Sequence, residues 1–338
     1  MSQSSPRVSV LLPVRDGERS VGDAISSILQ QSFDDLELIV LDDGSVDDSV
    51  SIASSFRDDR VRVASYPGRG LPATLNAGIL LARGRFVARM DADDLSLPGR
   101  LEKQVRLLEG DPSITACGVW TETFGSVRQI WRYPADHEAA KATLLFRTPF
   151  VHPSAMVRRD VLIDGELRYD EELMSASEDW DLWLRVARRG KLANVPEVLF
   201  RYRIRAAGDP SRDREKWRDA SVVARRALEA FGLTPNEEEV ELHLNVAHAD
   251  PAREPDFLER AEEWLLRVRR INKESGWCSA GAMDILTTDL WGALCVAAAS
   301  RGVRTLPHFR KSPLFDGHVR RRRQLASITA RSLRSGRG

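Results

Sequence analysis

RFVARMDADD, residues 85–94, ends an apolar run in three carboxylates, Asp91, Asp93 and Asp94, within four positions. Like charges this close repel and resist burial, so a cation or a set of donors is expected beside them. Three chemistries suit such a cluster. A hard cation such as Mg2+ or Mn2+ takes a few carboxylates and completes its shell with phosphate oxygens. The carboxylates could instead move protons, or cap the turn that leads into LPGR. LDDGS, residues 41–45, is a second acidic strand end. It reads either as a turn with Gly44 at positive φ or as a carboxylate that accepts from a base N–H or a ribose hydroxyl.

SEDWDLWLR, residues 177–185, is the third candidate. With Ser177 as N-cap, Glu178 and Asp179 fall in a first helical turn, where the helix dipole stabilises anions. Beside Trp180 and Trp183 a carboxylate would also be partly desolvated, which raises its proton affinity and suits a general base. Dipole and apolar walls pull in opposite directions, and residue types alone leave the outcome open.

Strands and helices alternate to position these groups. RVSVLLPV is an apolar run of the kind buried in a parallel sheet. The spacing of Val21, Ile25, Ile28 and Leu29 predicts a helix over DGERSVGDAISSILQQS. LELIVLDD is a second strand, SVDDSVSIASSF a helix with Ser45 as its expected N-cap, and VRVASY a third strand. LPATLNAGILLARG is a helix expected to close at Gly84, and RFVARM a fourth strand. This repetition predicts an α/β sheet, in which ligands bind beyond the carboxyl ends of the strands. Pro13 to Asp16, Asp42 to Ser45 and Asp91 to Asp94 should therefore meet in one crevice.

Beyond residue 100, LPGRLEKQVRLLEG reads as an amphipathic helix closing at Gly110, followed by strand-like SITACGVWTETFG and VRQIWRYP. ASEDWDLWLRVARRG reads as a helix ending at Gly190, and residues 212–300 as helical almost throughout. A change of composition at AAGDPSR, residues 206–212, suggests a boundary there.

Composition narrows the class. The 338 residues balance 50 Lys and Arg against 50 Asp and Glu, so no global field points to nucleic acid. Cys117, Cys278 and Cys295 lack metal or disulfide spacing, which suits a reducing interior. The N-terminus lacks the pattern of a signal peptide, and AMDILTTDLWGALCVAAAS carries Asp284 and Asp289, so it reads as a buried helix. A cytoplasmic protein is expected.

VSVLLPVRDGERSVGDAISSILQQSFDDLELIVLDDGSVDDS, GLPATLNAGILLARGRFVARMDADDLSLPGRLEKQV, HPSAMVRRDVL and SEDWDLWLRVARRG together resemble glycosyltransferase family 2, over roughly residues 7–205. The resemblance implies an α/β fold of the GT-A type, a Rossmann-like mixed sheet flanked by helices. It would span residues 1–207, with an α-helical C-terminal region and basic tail over 208–338. It implies inverting transfer of a sugar from a nucleotide-sugar donor, UDP-sugar first, to a saccharide or lipid-linked acceptor in cell-surface polysaccharide or glycolipid assembly. Asp91-Ala92-Asp93 would be the DxD motif holding Mg2+ or Mn2+ against the donor diphosphate, with Asp94 adjoining. Pro13, Val14, Asp16 and Asp43 would surround the nucleotide, Asp43 meeting the base. Asp179 would be the catalytic base and Glu178 would orient the acceptor or its loop. His152 matches a position near the acceptor.

One departure is visible. Many members carry Tyr-Arg-x-His after the last strand, whereas FRYRIRAAG places Arg205 at the histidine position. Arginine cannot ligate a metal but pairs with phosphate oxygens, so Arg203 or Arg205 is expected at the diphosphate. Trp264, Leu265 and Val268 form one apolar stripe beyond the resemblance. The Arg-rich end from Arg320 is either a solvated tail or a peripheral contact with anionic lipid at the inner face of a membrane. Oligomeric state stays open, a homo-oligomer included. A nucleotidyltransferase is the rival enzyme, disfavoured because PVRDGERS is not Gly-rich; a non-catalytic nucleotide-sugar-binding module is the rival outside enzymes, disfavoured because DAD and ED are both present. No GxxxxGK[ST] and no GxGxxG follows the first strand.

Overall fold

The computed structural model describes residues 5–164, 166–205, 211–251, 256–300, 309 and 311–315. The chain forms two compact units, residues 1–140 with 148–219 and residues 141–147 with 220–338. The boundary stretch 206–210 and the basic tail from Arg320 lie outside the described residues.

The first unit opens with β1 (Val8–Val14), α1 (Val21–Leu29), β2 (Leu36–Asp42), α2 (Ser49–Ser54), β3 (Val61–Ser65), α3 (Leu71–Leu81) and β4 (Phe86–Arg89). It continues with β5 (Leu95–Ser96), α4 (Arg100–Gly110), β6 (Ile114–Gly125), β7 (Ile130–Trp131) and α5 (His137–Leu144), the last running into the second unit. A 3-10 turn at His152–Ser154 precedes β8 (Met156–Arg158), α6 (Arg159–Ile163), α7 (Glu178–Val186) and β9 (Lys191–Ile204). The strands form one mixed sheet in the order β3-β2-β1-β4-β8-β6-β9-β5, with β7 on β6. β3, β2, β1 and β4 run parallel, β8 is antiparallel to both β4 and β6, and β9 is parallel to β6.

Hydrophobicity explains the centre of this sheet. Every residue of β1 and β2 is buried, as continuous apolar runs covered on both faces must be. Leu12, Leu38 and Val40 share a core with Ile25 and Ile28 of α1 and Leu101 and Val105 of α4. Each such side chain contributes about 1.5–3 kcal/mol by leaving water.

Several expected boundaries move. α2 starts at Ser49 with Asp48 as N-cap, not at Ser45. Ser45 is already committed: its Oγ accepts from Asp16 N–H at 3.0 Å and its own N–H donates to Asp42 Oδ1 at 3.0 Å. α3 ends at Leu81, and Gly84 serves close approach instead, since a Cβ there would lie 2.6 Å from the Ser9 backbone nitrogen. α7 ends at Val186, before Gly190. Of VRQIWRYP only Ile130 and Trp131 pair as strand.

The second unit carries most of α8 (Ser211–Phe231), then α9 (Glu237–Ala247), α10 (Phe257–Ser275) and α11 (Ala280–Ser300). Asn236 and Glu239 close a reciprocal capping box on α9. Trp264, Leu265 and Val268 are buried as their stripe predicts. His243 is buried with Trp264 Nε1–H donating to its Nδ1 at 3.2 Å, so its Nε2–H donates to Leu145 O at 3.0 Å. Burial pushes its pKa down to about 4. α11 has the length and composition to cross a membrane, and half of it is buried within the protein. Cys117, Cys278 and Cys295 are buried, and none of the three is in a disulfide.

Candidate active site

The carboxyl ends of β1, β2 and β4 meet. Asp43 N–H donates to Val14 O at 2.9 Å, and Val46 N–H donates to Asp16 Oδ1 at 2.9 Å. Pro13 and Val14 lie in register with Leu41 and Asp42. Met90 N–H donates to Leu11 O, which brings the DAD turn alongside; a Cβ on Gly17 would stand 3.7 Å from that of Ala92. The strand ends expected to meet are therefore adjacent, with Asp16 at positive φ tying two of their loops.

Asp43 is only 6% exposed. Its Oδ1 accepts from Arg69 N–H at 2.8 Å and Thr74 Oγ1–H at 2.8 Å, and its Oδ2 from Gly70 N–H at 3.1 Å. It thereby caps the start of α3, where Gly70 sits at φ 89° and contributes no side chain to do so.

The three aspartates of the DAD turn have different surroundings. Asp91 is paired to Arg89, and Asp93 Oδ2 to Arg205 at 2.8 Å. Arg203 Nε–H donates to Asp93 O, and its backbone N–H donates to Asp94 Oδ1 at 2.7 Å. Asp94 is buried, and its Oδ2 has no hydrogen-bond partner. Burial, then the charges of Asp91 and Asp93, push its pKa up to about 9. Among the described residues, no group of three His, Cys, Asp or Glu side chains is arranged to hold a metal ion. Asp91, Asp93 and Asp94 are thus adjacent without being gathered as ligands, because two of them are turned to arginines. Their chemistry still fits a hard cation: oxygen donors only, and one buried oxygen unsatisfied.

The second acidic pair stands at the start of α7. Ser177 occupies the N-cap position, but in a left-handed conformation (φ 71°) and without a side-chain cap bond. The expected serine cap is absent, and Asp179 Oδ1 instead accepts from Trp180 N–H at 2.7 Å. Trp180 and Trp183 are both buried. Burial pushes the Asp179 pKa up to about 6; His152 opposes this, Glu178 adds to it, and Arg89 opposes it from further off. Between apolar walls and helix dipole, the walls win. Glu178 is 9% exposed, with Oε1 3.5 Å from His152 Nδ1. His152 Nε2 shares a 2.8 Å hydrogen bond with Tyr169 OH, a phenol whose pKa burial raises.

Arg89 joins the two clusters. It is 5% exposed, bonds Met90 O and Asp91, and feels the charges of Tyr169 and Glu178. Motif reading misses it, as it misses Tyr169; the available signal is an arginine inside an apolar strand run, which must find a counter-charge. Beneath it, Arg100 is fully buried and donates to Arg89 O at 2.7 Å and to Gln104.

The family model described as "Glycosyl transferase family 2" matches residues 9–165. The chain is 32% identical over 208 residues to the O-antigen biosynthesis glycosyltransferase WbnJ of Escherichia coli, covering 58% of this chain and 79% of that protein. The crystal structure of S. aureus TarS 1-349 in complex with UDP-GlcNAc superposes with a TM-score of 0.59 at 16% identity, covering 98% of this chain and 92% of that one. The mannosyltransferase PcManGT from Pyrobaculum calidifontis, in complex with GDP-Man and Mn2+, superposes with a TM-score of 0.53 at 18% identity, covering 98% and 88%. The structural likenesses establish the fold, which is the GT-A fold that the sequence resemblance implies.

Proposed function

Because the chain belongs to glycosyltransferase family 2 and is a glycosyltransferase with relatives in polysaccharide biosynthesis, we propose that it transfers a sugar, with inversion, from a nucleoside-diphosphate sugar to an acceptor hydroxyl. The donor class is that named for the solved neighbours, UDP-GlcNAc for TarS and GDP-Man for PcManGT. A UDP-sugar is the first choice, from the correspondence at Asp43. The acceptor is a saccharide or a lipid-linked saccharide of a cell-surface polymer, and the reaction belongs to the cytoplasmic side of the membrane.

One observation carries the reading: Asp179 is a partly buried carboxylate in the first turn of α7, its pKa pushed up to about 6 by burial, within reach of the charge of Arg89, which is paired to Asp91. A base must be ionised at working pH yet have proton affinity to spare, and a value near 6 meets both needs. Asp179 takes the acceptor hydroxyl proton as the oxygen attacks the anomeric carbon, and the bond to the diphosphate breaks on the opposite face. Glu178, near His152, holds the acceptor loop. Asp43, through the free lone pair of Oδ2, accepts from the base, while Pro13, Val14 and Asp16 shape the nucleotide pocket. Asp91 and Asp93, with Asp94 behind them, would hold Mg2+ or Mn2+, which when bound supplies Lewis-acid stabilisation of the leaving diphosphate. Arg205, paired with Asp93, would turn its fork of donors to phosphate oxygens.

A thermal-shift screen of nucleotide-sugars with and without Mn2+ tests this. One nucleotide-sugar should raise the unfolding midpoint, and more so with Mn2+. If no donor stabilises the protein under either condition, the proposal fails.

A further inference from the structure

The family match ends at residue 165 and the motif resemblance near 205, yet the loop that delivers Glu178 and Asp179 is tied to a residue beyond both. Asp219, on α8, is 9% exposed, and its Oδ2 accepts from the consecutive backbone N–H groups of Ser175 (2.9 Å) and Ala176 (3.2 Å). Two successive N–H groups converging on one oxygen form a nest, a backbone concavity selective for anions. The next residue is Ser177, whose left-handed conformation is costly for a residue with a Cβ and persists only where its surroundings impose it. Glu178 and Asp179 follow directly. Upstream the same loop is pinned to α3, where Asn76 bonds Tyr169 N–H and O and Glu171. Glu215, one turn before Asp219, receives Ser175 Oγ–H at 3.3 Å.

We propose that Asp219 is a positioning residue for glycosyl transfer: its carboxylate, seated in the Ser175–Ala176 nest, holds Ser177 left-handed and so sets where Glu178 and Asp179 are presented. The inference rests on the reading of Asp179 as the base. It makes the first turns of α8, outside the family's shared segment, part of what the reaction requires. Asp219 touches no reacting atom. Its effect should therefore fall on the rate of the bound complex and not on donor affinity.

The test is nucleotide release from UDP-GlcNAc with Mn2+, water as acceptor, together with amide hydrogen exchange. Asp219→Ala should lower kcat about tenfold or more, leave donor KM within about twofold, and unprotect the amides of Ser175 and Ala176. Asp219→Asn keeps an acceptor oxygen in the nest and should restore kcat to within about threefold of the parent. Combined with Asp179→Asn, Asp219→Ala should add little, since both act on one step. Unaltered kcat in Asp219→Ala, a parallel rise in donor KM, or no rescue by Asn overturns the proposal. If the 219 variants do not fold, or UDP-GlcNAc is not turned over, exchange decides instead. Ser177→Val disfavours the left-handed state from the loop side and should unprotect the same two amides; full protection of both overturns the proposal. Near-normal turnover by Asp179→Asn alone removes the base reading, an outcome distinct from failure of the 219 series.

Discussion

The two acidic clusters differ in how their charge is met. In the DAD turn, Asp91 and Asp93 are each paired to a guanidinium, and only Asp94 is left buried with an unsatisfied oxygen. At the start of α7, burial presses the pKa of Asp179 upward, His152 opposes this and Glu178 adds to it. A carboxylate that already holds a cation can exchange it for another. One whose burial outweighs the opposing charges keeps its proton up to about pH 6 instead. Under the proposed function the same residue type would serve two tasks, binding and proton transfer, and the difference would be made by neighbours.

The largest effect that bears on this contrast should come from Asp179→Asn. It should bind donor normally by calorimetry and turn over at least about a hundredfold more slowly, the usual scale for loss of a general base. In the parent protein kcat/KM should rise with pH through about 6 and then level, as Asp179 loses its proton. Because its folded pKa is raised, this carboxyl contributes stability that is complete below about 4, the unfolded value, and lost as pH climbs through about 6. An acid limb absent between pH 5 and 7 would erase the distinction between the clusters. Next, Asp93→Asn should weaken Mn2+-dependent donor binding at least about tenfold, since loss of even an outer-shell partner of a metal costs about 10–100-fold. Unchanged calorimetric affinity with Mn2+ would leave the DAD turn a structural cap. The smallest effect belongs to Arg205→Gln. An exposed ion pair contributes about 0–1 kcal/mol, so the unfolding midpoint should hold, and Mn2+ affinity measured without donor should rise by about fivefold at most as a competitor for Asp93 is removed. A fall in that affinity would count against exchange at Asp93.

Much of the sheet-bearing unit is legible in linear order. Apolar runs of strand length, helical stripes such as Val21, Ile25 and Ile28, and acids placed at strand ends suffice to foresee the α/β sheet and the meeting of Asp16, Asp43 and Asp91. Errors fell where a side chain had been claimed by a distant partner. Ser45 looked like a helix cap but is bonded to Asp16, and Gly84 looked like a helix stop but makes room for Ser9. Ser177 sits at the right position in the wrong conformation, and its reason lies 42 residues downstream at Asp219.

Local pattern therefore determined which elements form and which residues could carry charge chemistry, because helix and strand periodicity and the cost of burying acids are properties of neighbours in sequence. The balance between dipole and desolvation at Asp179, the bridging place of Arg89, and the grip of Asp219 on the loop before α7 were decided only by the tertiary fold. Electrostatic and hydrogen-bond energies depend on distance through space and on what has displaced water, and neither quantity is written along the chain.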